Sequence, residues 1–126
     1  MASEKSAQKI PAAVGPYRVA VSSGGFVFTS GQIGLHPETG SLVDGTIEGQ
    51  TKQVMENLKA VLESEGLGLE KIIKTTIYLT RMEDFATVNQ IYGGYFKSVF
   101  PARSTIAVAA LPKGALVEID AIATKQ

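Results

Sequence analysis

The chain has 126 residues, about one domain's worth, with 44% hydrophobic residues and twelve basic against twelve acidic side chains. That balance leaves no electrostatic footprint for nucleic acid, and the absence of cysteine excludes disulfides, thiolate nucleophiles and cysteine metal sites. A lone histidine, His36, cannot build a multi-histidine zinc site, and no stretch approaches the roughly 18 apolar residues of a membrane span. With no apolar signal region at the N-terminus, a soluble cytoplasmic protein is expected.

Residues 1–126 read as a single domain without repeats or linkers, the first eight polar and loosely held. "YRVAVSSGGFVFTSGQIGL" reads as two short strands with "SSGG" as their turn. "HPETGSLVDG" is a turn-rich loop, with a further short strand allowed at its end, and it holds His36 in solvent. Val54, Leu58, Val61 and Leu62 form one apolar stripe, which predicts a helix over 47–65. Gly66 at C′ and Leu67 at C″ predict a Schellman end for that helix. "KIIKTTIYLT" is a β-branched strand, apolar enough on both faces to be central or to contribute to a subunit contact. Thr80 and Glu83 stand at capping-box spacing and open a second helix over 83–98, with Phe85, Val88, Ile91, Tyr92, Tyr95 and Val99 on its apolar side. Gly93-Gly94 weakens that helix, which close packing or fraying toward Pro101 would each explain.

The last segment, "FPARSTIAVAALPKGALVEIDAIA", predicts two strands joined as a hairpin by "LPKG". Its charges need an explanation, because an unpaired ion in a core costs several kcal/mol or more. A four-residue loop puts Arg103, Thr105 and Glu118 on one face of the pair. The plain reading is a rim salt bridge between Arg103 and Glu118, worth about 0–1 kcal/mol; the other is a functional site. Asp120 reads as solvated or salt-bridged. Ser30 is simplest as a turn residue, Asn89 as a structural helix amide and Tyr17 as core filler. The resulting order, β-β-α-β-α-β-β, implies an α/β (α+β) fold, a mixed sheet with two helices on one face. The uncovered apolar face is expected to be buried by oligomerisation.

"GPY" (15–17), "FTSGQIG" (28–34), "IIKTTIYL", "FATVNQIY" and the whole "FPARSTIAVAALPKGALVEIDAIA" resemble the Rid (RidA/YjgF) family, over about residues 8–124. The resemblance implies a chorismate-mutase-like homotrimer with active sites between subunits and no metal or organic cofactor. It implies hydrolysis of reactive 2-imino and enamine acids, such as 2-aminoacrylate and 2-iminobutanoate, to 2-oxo acids and ammonia. Arg103 matches the arginine that binds the substrate carboxylate, and Glu118 the acid that activates water. Tyr17, Ser30, Gly31, Phe85, Asn89 and Thr105 match positions lining the pocket. Thr105 stands where the family often has cysteine, and Arg18-Val19 departs from its usual small polar residue and glutamine. A non-catalytic 2-oxo acid sensor and a ribonuclease or translation inhibitor are the alternatives, the last disfavoured by zero net charge and few aromatics.

Overall fold

The computed structural model describes residues 10–13 and 15–126. The expectation for residues 1–8 lies outside them. Strands β1 (Ala20–Ser23) and β2 (Phe26–Thr29) form an antiparallel hairpin that turns at Gly24–Gly25, so Ser22 and Ser23 extend the strand rather than the turn. A two-residue β3 (Gln32–Ile33) follows, and the loop after it holds only an isolated bridge, Leu35 to Leu42. Helix α1 is Ile47–Ser64, β4 Ile72–Leu79, α2 Phe85–Gly93, β5 Ala102–Ala107 and β6 Val117–Thr124.

Local chemistry explains α1 well. Thr46 caps it, its Oγ1 accepting from Gly49 N at 3.0 Å, and Glu48 lies in the first turn. At the other end Leu67 N donates to Leu62 O at 2.9 Å and Gly66 N to Glu63 O at 3.0 Å, with Gly66 at φ +77°. This is the Schellman end that Gly66 and Leu67 imply.

The sheet order is β1-β2-β6-β4-β5, with β3 pairing the far end of β6. Only β4 and β5 run parallel; α2 is their crossover. The mixed sheet with both helices on one face is therefore as expected. The expected C-terminal hairpin does not form. β5 and β6 never pair, because β4 lies between them, parallel to one and antiparallel to the other. "LPKG" is instead a 3-10 turn over Pro112–Gly114, with Lys113 at φ 58°.

The second helix is also shorter than its apolar pattern suggests. A separate 3-10 turn, Met82–Asp84, precedes it, Asp84 makes no side-chain cap bond, and no capping box forms. Gly94 serves as the C-cap, so the glycine pair ends the helix. Phe96 is then buried, while Val99, expected on the apolar side, is 80% exposed. In β4 a register shift between Ile72 and Lys74 releases Ile73 from the row of Thr75 and Ile77 and leaves it exposed.

The core lies between sheet and helices: Val27, Ile77, Leu79, Val117 and Ile119 meet Val54, Met55, Leu58, Leu62 and Val88, all nearly solvent-free. On the other face, Val21, Phe26, Phe28 and Ile106 are exposed. Two buried amides tie α1 to the strands that carry the site. Gln50 Oε1 accepts from Leu116 N at 2.8 Å, and Asn57 Nδ2 donates to the carbonyls of Ile33 (3.2 Å) and Leu35 (3.0 Å). No helix among the described residues is long and apolar enough to cross a membrane.

Candidate functional site

Both β2 and β3 pair with β6, β2 with residues 122–124 and β3 with 118–119, so Ser30 and Gly31 form a break in one edge. Ser30 leaves the ladder to bond the N-terminal segment, donating its N–H to Val19 O at 2.9 Å and its hydroxyl to Arg18 O. The gap at Gly31 is filled by the Glu118 carboxylate: a Cβ built on Gly31 would overlap it. A cavity of about 410 Å³ opens here, walled by Tyr17, Ser30, Gly31, Ile33, Pro112 and Glu118 among others. Its walls are mostly apolar, and Glu118 stands half-buried among them. Burial raises its carboxyl above the ordinary range, and the charge of Asp120 adds to the rise.

Arg103 belongs to a second place. Its partner in β4 is Thr75, which faces the helices, and its guanidinium lies over two rings of α2: Cζ is 5.5 Å from the Phe85 centroid and 5.3 Å from that of Tyr92. Tyr92 is fixed in turn by a 2.7 Å hydrogen bond between its hydroxyl and Thr75 Oγ1, and burial raises its phenol. Asn89, Tyr92, Gly93, Phe100, Pro101 and Arg103 line a cavity of about 290 Å³. Asn89 Oδ1 and Thr105 Oγ1, on the same side, are buried without a hydrogen-bond partner among the described residues. Among the described residues the one ion pair is the exposed Arg81–Glu83 at 4.0 Å, so Arg103 has no internal anion there.

Arg103 and Glu118 are thus neither a rim salt bridge nor neighbours on one face. Glu118 pairs with Tyr78, on the face away from the helices, while Arg103 pairs with Thr75, on the face toward them. The shared face expected from a hairpin fails because β4 intervenes and sets each strand's facing separately. The site residues expected from the sequence therefore fall into two groups. Tyr17, Ser30, Gly31 and Glu118 share one cavity; Arg103, Phe85, Asn89 and Thr105 cluster at the other. Tyr17 is not core filler: it is 46% exposed on its cavity wall. Asp120 makes no salt bridge among the described residues; half-buried, it accepts from the Tyr78 hydroxyl at 2.9 Å. Tyr92 is the site residue that sequence reasoning misses, although its spacing of three from Asn89 and seven from Phe85 places all three on one helical face. His36 lies elsewhere, in a groove with Glu38, Glu56, Glu63 and Lys59.

The family model described as endoribonuclease L-PSP matches residues 7–125. The chain belongs to that family, known also as RidA/YjgF. It is 46% identical over 118 residues to the human protein named 2-iminobutanoate/2-iminopropanoate deaminase, covering 94% of this chain and 86% of that one. It is 49% identical over 119 residues to the Arabidopsis thaliana chloroplastic Reactive Intermediate Deaminase A, covering 94% and 64%. The structure of E. coli TdcF with bound serine superposes with a TM-score of 0.90 at 41% identity, covering 94% of this chain and 95% of that one. The family assignment and the mixed α+β architecture agree with what the sequence motifs imply.

Proposed function

We propose that this RidA-family chain hydrolyses 2-imino and enamine acids, such as 2-iminobutanoate and 2-aminoacrylate, to 2-oxo acids and ammonia. The observation that carries the reading is Arg103: a guanidinium laid over two aromatic rings, with no anion among the described residues to satisfy it. A planar fork of that kind suits a carboxylate better than an ammonium does. A relative crystallised with serine, an amino acid carrying that same carboxylate, supports the choice of ligand class.

Glu118 supplies the second half. The imine reacts as its protonated iminium: water adds to the C=N carbon while Glu118 takes one proton from it. Glu118 returns that proton to the carbinolamine nitrogen, and the C–N bond breaks as the carbinolamine hydroxyl passes its own proton to the departing ammonia, leaving the 2-oxo acid and ammonium. A carboxyl raised by burial is a stronger base than an ordinary one, which suits the first transfer. An enamine enters after its carbon is protonated to the imine. Tyr17, Ser30 and Gly31 wall the Glu118 side; Phe85, Asn89 and Thr105 surround the Arg103 side.

One chain holds the two groups on opposite sheet faces, so in this reading each active site joins the Arg103 side of one subunit to the Glu118 side of another, in a homotrimer. The exposed Val21, Phe26, Phe28 and Ile106 support burial of the open face by further copies. The test uses a pyridoxal-phosphate-dependent threonine dehydratase to generate the imine and follows 2-oxobutanoate release. Wild type accelerates release and Arg103→Ala does not; equal rates would sink the reading. Mixing inactive Arg103→Ala and Glu118→Ala chains restores activity at roughly a quarter of sites if each site is shared.

A metabolite sensor would bind 2-oxo acids in the same place without turnover, and the assay separates the two. The description of the family model favours RNA cleavage as a third reading. Here the one histidine shares its groove with three glutamates and one lysine, a poor setting for phosphate.

A further inference from the structure

The proposed hydrolysis gives Tyr78 and Asp120 no task, yet they are the ionisable neighbours of Glu118. Tyr78 is its partner across the β4–β6 pair, and Asp120 lies two residues along β6 on the same face. The Tyr78 hydroxyl donates to Asp120 Oδ2 at 2.9 Å. Side chains at i and i+2 of a strand stand about 7 Å apart. That is within a Debye length at physiological salt, about 8 Å. At that separation the charge of Asp120 acts on the Glu118 carboxyl.

The environments of the two acids differ. Asp120 is held in place by the phenol hydrogen bond. Glu118 is packed into the gap at Gly31, against a cavity of mostly apolar walls, where charge is least welcome.

We propose, on the deaminase reading, that Tyr78 and Asp120 are positioning residues acting through Glu118: the tyrosine hydroxyl fixes the aspartate carboxylate beside the glutamate, and that fixed charge sets how readily Glu118 takes up and gives back its proton. The direction of the Glu118 shift agrees, since burial raises its carboxyl and the Asp120 charge adds to it. The charged and titratable groups around it are few among the described residues. Tyr17 shares the cavity from the N-terminal segment, and Tyr78 faces it from β4. Lys74, further along β4, reaches Thr76 Oγ1 and Ser104 Oγ, each at 3.4 Å. Lys113, from the turn before β6, is held by the Gly40 carbonyl at 3.0 Å. Neither lysine is paired with a carboxylate among the described residues, which leaves Asp120 as the close charge.

An ordinary cross-strand pair would contribute only to folding. The two roles separate in the titration of Glu118, followed by carboxyl-carbon NMR in the full-length protein, alongside the pH profile of kcat/KM. In Asp120→Asn the Glu118 midpoint falls toward the ordinary carboxylate range and the acidic limb of the profile moves down with it. Asp120→Glu, which restores the charge, brings both back toward wild type. Tyr78→Phe, an isosteric change that keeps the packing, frees the Asp120 carboxylate from its hydrogen bond and moves the Glu118 midpoint part of the way toward that of Asp120→Asn. Tyr78→Phe serves alone if Asp120→Asn does not fold. A Glu118 curve superimposable on wild type in the folded variants overturns the proposal. Absence of imine turnover by wild type overturns the deaminase reading, while the NMR midpoints still decide whether the pair sets the Glu118 titration.

Discussion

Gly31 and the Glu118 carboxylate occupy the same small volume, the glycine supplying the space its missing side chain would fill. Gly31→Ala is therefore expected to push the carboxylate out of place while the chain folds normally. A displacement of about 1 Å at a catalytic group costs on the order of 100-fold in rate. The contrasting change is Gly34→Ala, whose Cβ would meet Gln50 Cα at 2.9 Å and Gln50 O at 3.0 Å, backbone atoms that cannot swing aside. Thermal melts and imine-hydrolysis rates should separate them: Gly31→Ala loses kcat at nearly unchanged Tm, and Gly34→Ala loses Tm.

Arg103→Lys keeps the charge but loses the planar fork and its stacking on Phe85 and Tyr92. KM for the imine is expected to rise on the order of 10-fold, with kcat less affected. Steady-state kinetics at several imine concentrations measure the split; an unchanged KM would remove Arg103 from carboxylate recognition.

The raised carboxyl of Glu118 fixes two pH dependences. As a base it works only when ionised, so kcat/KM should fall as pH drops through its raised value, higher than for an ordinary carboxylate. For stability the sign is opposite. Between the unfolded and the raised folded value the native state holds the extra proton, so stability declines as pH rises through that window. Glu118→Gln removes this decline and should be the more stable protein above the window, though inactive. Denaturant midpoints at a series of pH values, set against wild type, test it.

Gln50 is 2% exposed and uses both ends of its amide, donating to Asp44 O at 2.9 Å and accepting from Leu116 N at 2.8 Å. Gln50→Ala removes a buried amide and leaves the Asp44 carbonyl and the Leu116 N–H without it, and should destabilise the chain by about 1–3 kcal/mol. Because Leu116 leads directly into β6, urea unfolding and turnover are both expected to suffer.

What can be read from the sequence is what local forces decide. The Schellman end of α1 needs only Gly66, Leu67 and the apolar stripe before them, and the alternation of β4 from Thr75 to Leu79 needs only its own residues. The register shift that exposes Ile73 arises instead in the pairing of β4 with β6. The second helix departs from its pattern where a 3-10 turn displaces the Thr80–Glu83 box and Gly94 takes the cap, choices that neighbouring turns settle. The pairing of β5 and β6 lies furthest out of reach. Whether "LPKG" closes a hairpin or leads past an intervening strand depends on where β4 settles, and no residue near the turn records that. The members of each half of the site are visible through the family motifs. Their division between two faces is not, because parity within one assumed pair says nothing once a third strand stands between.

The face assignment of Arg103 and Glu118 also enters the rate law. If, as proposed, each site joins two subunits, a chain alone is half an enzyme twice over and its turnover is tied to subunit dissociation. Diluted below the assembly's dissociation constant, specific activity should fall faster than protein concentration and recover on reconcentration, as population of the joined state dictates. Expression level would then set not only how much enzyme a cell holds but what fraction of it works.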